Sequence, residues 1–406
     1  MTPLAGRARL LDLRPPVRRV LIHSLFLGLA INIADLLFNF YLVSQGYGTD
    51  TAGLMSTVSR LAGMLLGIPM GLLIDRIGAQ RAIQLSLLVY SGGWLLMLQG
   101  QSLVALIVAQ FIIGAAFLTA LTAVVPLLAT ITSDDERTGV LGLNASATMV
   151  AGLGGGMLGG LLPSGAALLL GVGPQDTAAY RLALGIVVLL SLLALLPIVR
   201  PLSNGAEVRT AGPSPLDGRR LPLKRLVRFS LSAMFLGIGS GVILPFQNLF
   251  FREVFGLSDS GVGIILATVA VCMGLGALIG APIGVRIGLR RGATILRMIS
   301  VVGALIMLIP SLIPATIGFI IRGTFIVASY PMSDALVMAN TPLRQRGMAM
   351  SLSSVFWAGG WAVGALAGGY MQVRWGFNPL IIVAAVNYLF SALAILTLVF
   401  PEGDKR

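Results

Sequence analysis

Long apolar runs are the feature of this sequence that most restricts its fold. Twelve such runs, separated by short polar stretches, follow one another between residues 18 and 400. A helix needs about 20 predominantly apolar residues to cross the hydrocarbon core of a bilayer. Because lipid offers no hydrogen-bond partner to free backbone groups, membrane-spanning runs of this kind form helices. The sequence therefore predicts an all-α membrane protein with twelve transmembrane helices.

The predicted spans, numbered 1 to 12, fall into two groups of six. They lie near 18–44, 50–74, 81–99, 103–131, 139–165, 180–199, 226–254, 260–286, 292–313, 315–340, 347–372 and 377–400. We expect an N-terminal six-helix bundle in 1–200, a cytoplasmic linker in 201–222 and a C-terminal six-helix bundle in 223–406. Residues 160–178 fit either a longer helix or a re-entrant segment.

Charge supports a membrane protein and predicts its orientation. Only 11% of the residues are charged, against about 25% in soluble proteins. Of the 28 Lys and Arg residues, 23 lie in the two tails, the linker and alternate loops, among them Arg286, Arg290, Arg291 and Arg297 between spans 8 and 9. Basic loops remain in the cytoplasm, so we expect both termini inside, in a cell (inner) membrane. No basic face is interleaved with aromatic residues, which argues against nucleic acid as a partner.

The two halves of the chain repeat each other. Gly46 and Gly53, which follow span 1, match Gly256 and Gly263 after span 7 at an offset of 210 residues. Phe111-Ile-Ile in span 4 matches a second Phe-Ile-Ile in span 10 at an offset of 208. A near-constant offset indicates a parallel six-helix repeat, which is a known transporter architecture with its substrate site near the bilayer midplane.

The loop after span 2 carries a recognisable motif. Its sequence, Gly71-Leu-Leu-Ile-Asp75-Arg76-Ile-Gly78-Ala-Gln-Arg81, resembles the signature of the major facilitator superfamily, and a degraded copy follows span 8. The resemblance implies the major facilitator fold and a cytoplasmic gate formed by Gly71, Asp75, Arg76, Gly78, Arg81, Arg286 and Gly288. It further implies that Asp75 meets the start of span 11 near Arg346, and that the basic residues pair with Asp134, Asp135 or Glu136.

Span 5 resembles, less closely, a motif of the drug–proton antiporters within this superfamily. The segment from Ala151 to Gly160 keeps their glycine spacing, but Gly156 replaces their proline and Ala151 replaces their first glycine. Close helix packing accounts for these small residues equally well. Gln110 stands where many proton antiporters have an arginine, so coupling through an arginine at that position is not supported.

Ionisable residues inside spans are costly and mark functional sites. Asp35 and Arg60 lie at similar depth in spans 1 and 2, which suggests an ion pair. The pair either lines a central cavity or has the purely structural role of holding the two helices together. We expect a substrate and proton path formed by Asp35, Arg60, Arg322, Asn32, Asn39, Gln110, Gln247, Asn248 and Asp334. Two arginines against Asp35 predict an anionic or zwitterionic substrate. Asp35 is the leading proton carrier and Asp334 its rival.

The expected function is secondary active transport by alternating access. We expect a monomer in membrane lipid that moves a small molecule by proton-coupled efflux, with no enzyme activity, cofactor or metal site.

 The alternatives are an uptake symporter or a lipid flippase of the same fold, and, in another class, a non-transporting membrane receptor or structural protein. A nucleotide-driven pump is excluded because the sequence contains no P-loop.

Overall fold

A computed structural model describes residues 13–100, 102–202, 223–341 and 346–398, and this part of the chain is helical throughout, without strands. Its α-helices are α1 Pro15–Ser44, α2 Thr49–Ile77, α3 Ala79–Gln99, α4 Leu103–Ile131, α5 Asp134–Leu170, α6 Thr177–Leu195, α7 Leu223–Ile243, α8 Gln247–Phe255, α9 Asp259–Ile287, α10 Leu289–Ile306, α11 Leu312–Ala339, α12 Arg346–Trp375 and α13 Asn378–Leu398. A short 3-10 turn joins α7 to α8, and the two form the predicted span 7. The predicted all-α fold is confirmed.

Hydropathy alone identifies fewer spans than the fold contains. Ten helical segments of the described chain are long and apolar enough to cross a membrane, and α2 makes eleven if its two parts, bent by 57° near Pro69, count as one. Proline bends a helix because it lacks the N–H that would bond to the preceding turn. The remaining helix, α10, has 18 residues, three of which are arginines. It nevertheless packs against α11 and α13 within the bundle.

The region 160–178 is not re-entrant. Helix α5 continues without a break through Pro163 to Leu170, a total of 37 residues. Gly171 then ends the helix in the left-handed conformation, with φ of 67°, which glycine adopts without steric cost. At 1.5 Å per residue the helix is about 55 Å long, so it exceeds the thickness of the hydrocarbon core.

The two bundles, α1–α6 and α7–α13, meet mainly where α2 packs on α12 and α5 packs on α9. We call the side on which the described chain starts and ends the inner side, and the opposite side the outer side. At the outer side the backbones almost touch: a Cβ atom on Gly53 would lie 2.4 Å from the Ala365 oxygen, and one on Gly263 would lie 2.4 Å from the Gly156 oxygen. The outer side is therefore closed.

The inner side is open. The space between the bundles is lined toward this side by Met64 and Gly67 of α2 and by Met350 and Ser354 of α12. The helices that touch near Gly53 and Ala365 are therefore separated by this space toward their inner ends. Such a shape is one of the two states that alternating access requires.

Most of the predicted linker lies outside the described residues, as do the C-terminal Lys405 and Arg406. The start of the linker is held against the first bundle. Arg19 of α1 donates to the Arg200 oxygen at 2.6 Å, and the backbone N–H of Leu202 donates to Gln80 of α3 at 3.1 Å. The division into 1–200, 201–222 and 223–406 stays a prediction.

Candidate functional site: the central cavity

A cavity of about 940 Å³ lies between the two bundles. This volume is within the range of about 300–1,000 Å³ that is usual for small-molecule sites. The predicted path residues that line the cavity are Asp35, Asn39, Arg60, Gln110, Gln247 and Asp334. Six of the nine predicted residues thus line the cavity, and their role in a substrate and proton path stays a prediction.

Asp35 lies on α1, about 14 Å from its outer end at 1.5 Å per residue. Its side chain is exposed to the cavity. Among the described residues it has no hydrogen bond and no ion pair within 4 Å. Phe38, Tyr90 and Trp94 line the cavity with it, and the rings of Phe38 and Trp94 meet edge to face at 5.8 Å. Asp35 is thus a carboxylate without a directly bonded partner in the described chain, beside three aromatic residues.

Arg60 does not form the predicted ion pair with Asp35. Its guanidinium carbon lies 4.3 Å from the ring centroid of Trp361 and 5.3 Å from that of Trp357. The indole N–H of Trp361 in turn donates to the Ser56 hydroxyl at 3.2 Å. Aromatic faces attract a guanidinium because their π-electrons are negative. Since both tryptophans belong to α12, Arg60 forms a contact between the two bundles and not an ion pair between α1 and α2.

Asn39 and Asn248 join equivalent helices of the two halves. They are 209 residues apart, close to the repeat offset, and the Asn39 amide donates to Asn248 Oδ1 at 2.8 Å. The Asn248 amide donates to the Leu36 oxygen at 2.6 Å. Asn248 is buried in this contact and does not line the cavity. Asn32 also points elsewhere, because its amide bonds to Gly28 and its Cβ packs against Gly155 of α5.

Arg322 is not part of the cavity wall. It is 1% exposed, donates to the Tyr388 hydroxyl at 3.0 Å and covers the Phe319 ring at 4.5 Å, all within the second bundle. Its predicted role rested on depth alone. Twelve residues separate it from Asp334, and at 3.6 residues per turn this places the two side chains about 120° apart around α11. Asp334 faces the cavity and Arg322 does not.

Sequence analysis missed the role of Arg297, which it assigned to the loop between spans 8 and 9. Arg297 lies in α10, is 2% exposed and borders the cavity. Hydroxyl oxygens surround its guanidinium: Ser232 at 2.5 Å, Ser391 at 2.6 Å and Ser333 at 2.8 Å. The helical period contains the signal that would have identified it, because Leu296, Arg297 and Ser300 share the buried face of α10.

These positions change the expected charge of the cavity. With Arg322 outside and Arg297 at its border, two arginines stand against Asp35 and Asp334. The positive excess that predicted an anionic or zwitterionic substrate is therefore absent from the cavity wall.

The motif after α2 forms its turn but not its predicted contacts. Gly78 and Gly288 have φ of 86° and 85°, a region that only glycine adopts readily, so the two turns are equivalent. Asp75 is exposed, and no described residue bonds to it. Glu136 pairs with Arg14 at 3.2 Å rather than with the basic residues of the motif. The side chains of Asp134 and Asp135 lie outside the described residues. The inner gate is open in this state.

Replacing Asp75 tests whether the motif closes the inner side. Asp75→Asn keeps the shape of the side chain but removes the charge that would face the N-terminus of α12 in the closed state. A carboxylate at a helix N-terminus contributes about 0.3–1 kcal/mol, and up to about 2 when partly buried, so we expect transport to slow by about two- to tenfold. Transport by the variant in liposomes, normalised to inserted protein, measures this. Wild-type rates would show that Asp75 plays no part in closure.

The outer side is closed by a polar cluster that the sequence did not reveal. The Tyr180 hydroxyl of α6 donates to Asp259 Oδ2 at 2.8 Å, and Arg252 of α8 donates to the same hydroxyl at 2.8 Å. Arg252 also lies 3.4 Å from Asp259 and 4.4 Å above the Phe40 ring. Tyr180 and Phe40 belong to the first bundle and Arg252 and Asp259 to the second, so the cluster links the bundles at their outer ends.

Solved structures share this architecture. The nucleoside transporter NupG has a TM-score of 0.76 and 14% identity, over 94% of this chain and 99% of that chain. A bacterial homologue of the iron transporter ferroportin, in an inward-facing state, has a TM-score of 0.73 and 15% identity, over 95% and 98%. The fucose:proton symporter FucP of E. coli has a TM-score of 0.62 and 18% identity, over 94% and 98%. At these identities the likeness shows the fold alone.

The sequence itself gives the family. A search of curated protein sequences finds no match. The family model of the Major Facilitator Superfamily, in contrast, matches residues 20–230 and 229–406, one match for each bundle. The chain is therefore a multi-pass membrane protein that belongs to the Major Facilitator Superfamily of transporters.

Proposed function

We propose that this protein is a proton-coupled secondary transporter that exports a small organic molecule by alternating access. The observation that carries the proposal is Asp35, a carboxylate without a partner among the described residues, exposed in a cavity that is open to the inner side. A carboxylate in this position exchanges protons with whichever side the cavity faces. Proton binding is then linked to the change between inner-open and outer-open states.

Two features support alternating access. The outer contacts are backbone approaches at glycines and polar side-chain contacts, among them the Tyr180 cluster and the Asn39–Asn248 pair, which can separate without unfolding either bundle. The inner motif has the turn of a closing contact but not the contact itself. Each side therefore has its own means of closure. Efflux is the proposed direction because the inner-open state offers the cavity to solutes from inside, and because span 5 keeps the glycine spacing of drug–proton antiporters.

Reconstitution into liposomes tests the proposal. Purified protein is sealed into vesicles, a pH gradient of either sign is imposed, and the uptake and release of a compound panel are followed with and without a protonophore. We expect at least one compound to move against its own gradient while protons move in the opposite sense. Movement of the compound in the same direction as protons would show uptake symport. Compound fluxes that do not depend on the pH gradient would contradict proton coupling.

Membrane orientation follows from the distribution of basic residues. We propose that the protein lies in the cell (inner) membrane with the inner side facing the cytoplasm. Reporter fusions after residues 48, 101 and 257 should then report the outside, and a fusion at residue 210 should report the inside. Alkaline phosphatase and green fluorescent protein fusions make the two readouts complementary. A cytoplasmic signal at residue 48 or 257 would contradict this topology.

A further inference from the structure

The charged groups of the cavity differ in how far they are already engaged. Asp35 and Asp334 are exposed to the cavity, and neither has a hydrogen bond or an ion pair within 4 Å among the described residues. Arg60 is half-buried against two indole rings. Arg297 is buried and bonded to serine hydroxyls. The arginines and acids are equal in number, but the two acids are more exposed to the cavity than the two arginines.

A second acceptor without a partner lies in the same cavity. Gln110 Oε1 is buried and has no hydrogen bond in the described chain, although Gln110 lines the cavity with Asp35. A buried acceptor without a donor is costly, by about 1–3 kcal/mol. The two acceptors are thus suited to a ligand that brings N–H donors or a positive charge.

Aromatic rings complete the wall. Phe38, Tyr90 and Trp94 line the cavity together with Asp35, and the Tyr90 and Trp94 rings are 6.4 Å apart. Aromatic faces bind ammonium groups and also offer apolar area to the body of a ligand. Phe38 is partly exposed, whereas Tyr90 and Trp94 are 4% and 3% exposed and pack behind it. Asp35 and these three residues form what we call the cation wall.

We propose that the cavity binds an organic cation, a protonated amine or quaternary ammonium or phosphonium with an aromatic or aliphatic body. Its charge lies near Asp35 and its body packs against Phe38, the exposed ring of the cation wall. This assignment names the substrate class of the proposed function, and it reverses the anionic preference that the charge count of the sequence predicts. The charge count of the sequence has the other sign because it included Arg322, which is not in the cavity wall, and left out Asp334, which is.

Trp357 and Trp361 are positioning residues in this arrangement. They hold Arg60 on the α12 side of the cavity, beyond ion-pair distance of Asp35. Without them, Arg60 competes with the ligand for the carboxylate. Removing the tryptophans therefore weakens cation binding, whereas removing Arg60 as well restores it.

Two probes of similar shape and opposite charge test the sign of the site. Radiolabelled tetraphenylphosphonium and tetraphenylborate are equilibrated with the full chain in lipid nanodiscs, and binding to empty nanodiscs is subtracted. We expect saturable binding of the phosphonium only, weakened by about tenfold or more in Asp35→Asn and largely kept in Asp35→Glu. Asp176→Asn, at an exposed acid in the loop before α6, is the matched control and should bind as wild type.

The double variant Trp357→Ala/Trp361→Ala should bind the phosphonium more weakly, and adding Arg60→Gln should restore binding. Size-exclusion profiles check that each variant is folded. Saturable binding of the borate, no saturable binding of the phosphonium, or equal phosphonium affinity in wild type and Asp35→Asn would each overturn the proposal. The binding assay needs no gradient, so its failure would exclude an organic cation but leave proton-coupled transport of another substrate class possible. Fluxes in liposomes that do not depend on the pH gradient would instead contradict proton coupling and leave the cation site untouched.

Discussion

We expect Asp35→Asn to reduce proton-driven transport in liposomes by about 100-fold, near the upper end of coupling between two sites. The physical reason is that asparagine has nearly the same shape as aspartate but cannot bind and release a proton. Exchange of substrate without a gradient should survive, because it needs only the movement of the loaded cavity between its two states. Exchange is measured at raised substrate concentration, since the variant also loses the charge of the cation wall.

Asp334→Asn is the comparison for this experiment. Asp334 is the other free carboxylate of the cavity, and Arg297 lies within electrostatic reach of it. If Asp35 carries the proton, Asp334→Asn should keep gradient-driven transport. If instead Asp35→Asn keeps full proton-driven transport and Asp334→Asn loses it, the assignment is wrong and α11 carries the proton.

The sequence predicted those features that depend on local pattern. Run length and apolarity predict helices because a bilayer allows little else, and the motif ending at Arg81 places a glycine turn at Gly78. The repeat also extends to the site, since Asn39 and Asn248, matched by the offset, meet in the structure. α10 is the exception, because its hydropathy does not identify it as a membrane span. The six-helix repeat and the family fold indicate this helix instead.

The contacts of the cavity depend on distant residues, and the sequence did not reveal them. Asp35 and Arg60 share a depth, but Trp357 and Trp361, about 300 positions later, draw Arg60 away. Arg297 near a helix start resembles a loop residue until its serine partners on three other helices are known. The depth of a residue in the membrane can be predicted from its position in the span. Which face of the helix meets a cavity depends on how the helices pack.

Gly53→Val should hold the protein in an outer-open state and stop transport. A Cβ atom at residue 53 would lie 2.4 Å from the Ala365 oxygen and 3.2 Å from the Gly369 Cα, too close for any side chain. These neighbours are backbone atoms of α12, so the overlap is relieved by separating α2 from α12 at their outer ends. Overpacking of this kind costs about 1–3 kcal/mol, which shifts the balance of states by about 5- to 150-fold.

Cysteine accessibility measures that shift. Cys272, the only cysteine, is first replaced by alanine, and Gln247→Cys then places a thiol in the cavity wall. A membrane-impermeant maleimide should label it from the inner side in the parent and from the outer side in Gly53→Val. Gly185→Val is the control, since a Cβ there has no contact within 4 Å and carries the same cost of valine in a helix. Labelling from the inner side in both variants would show that the α2–α12 contact does not set the state of the cavity.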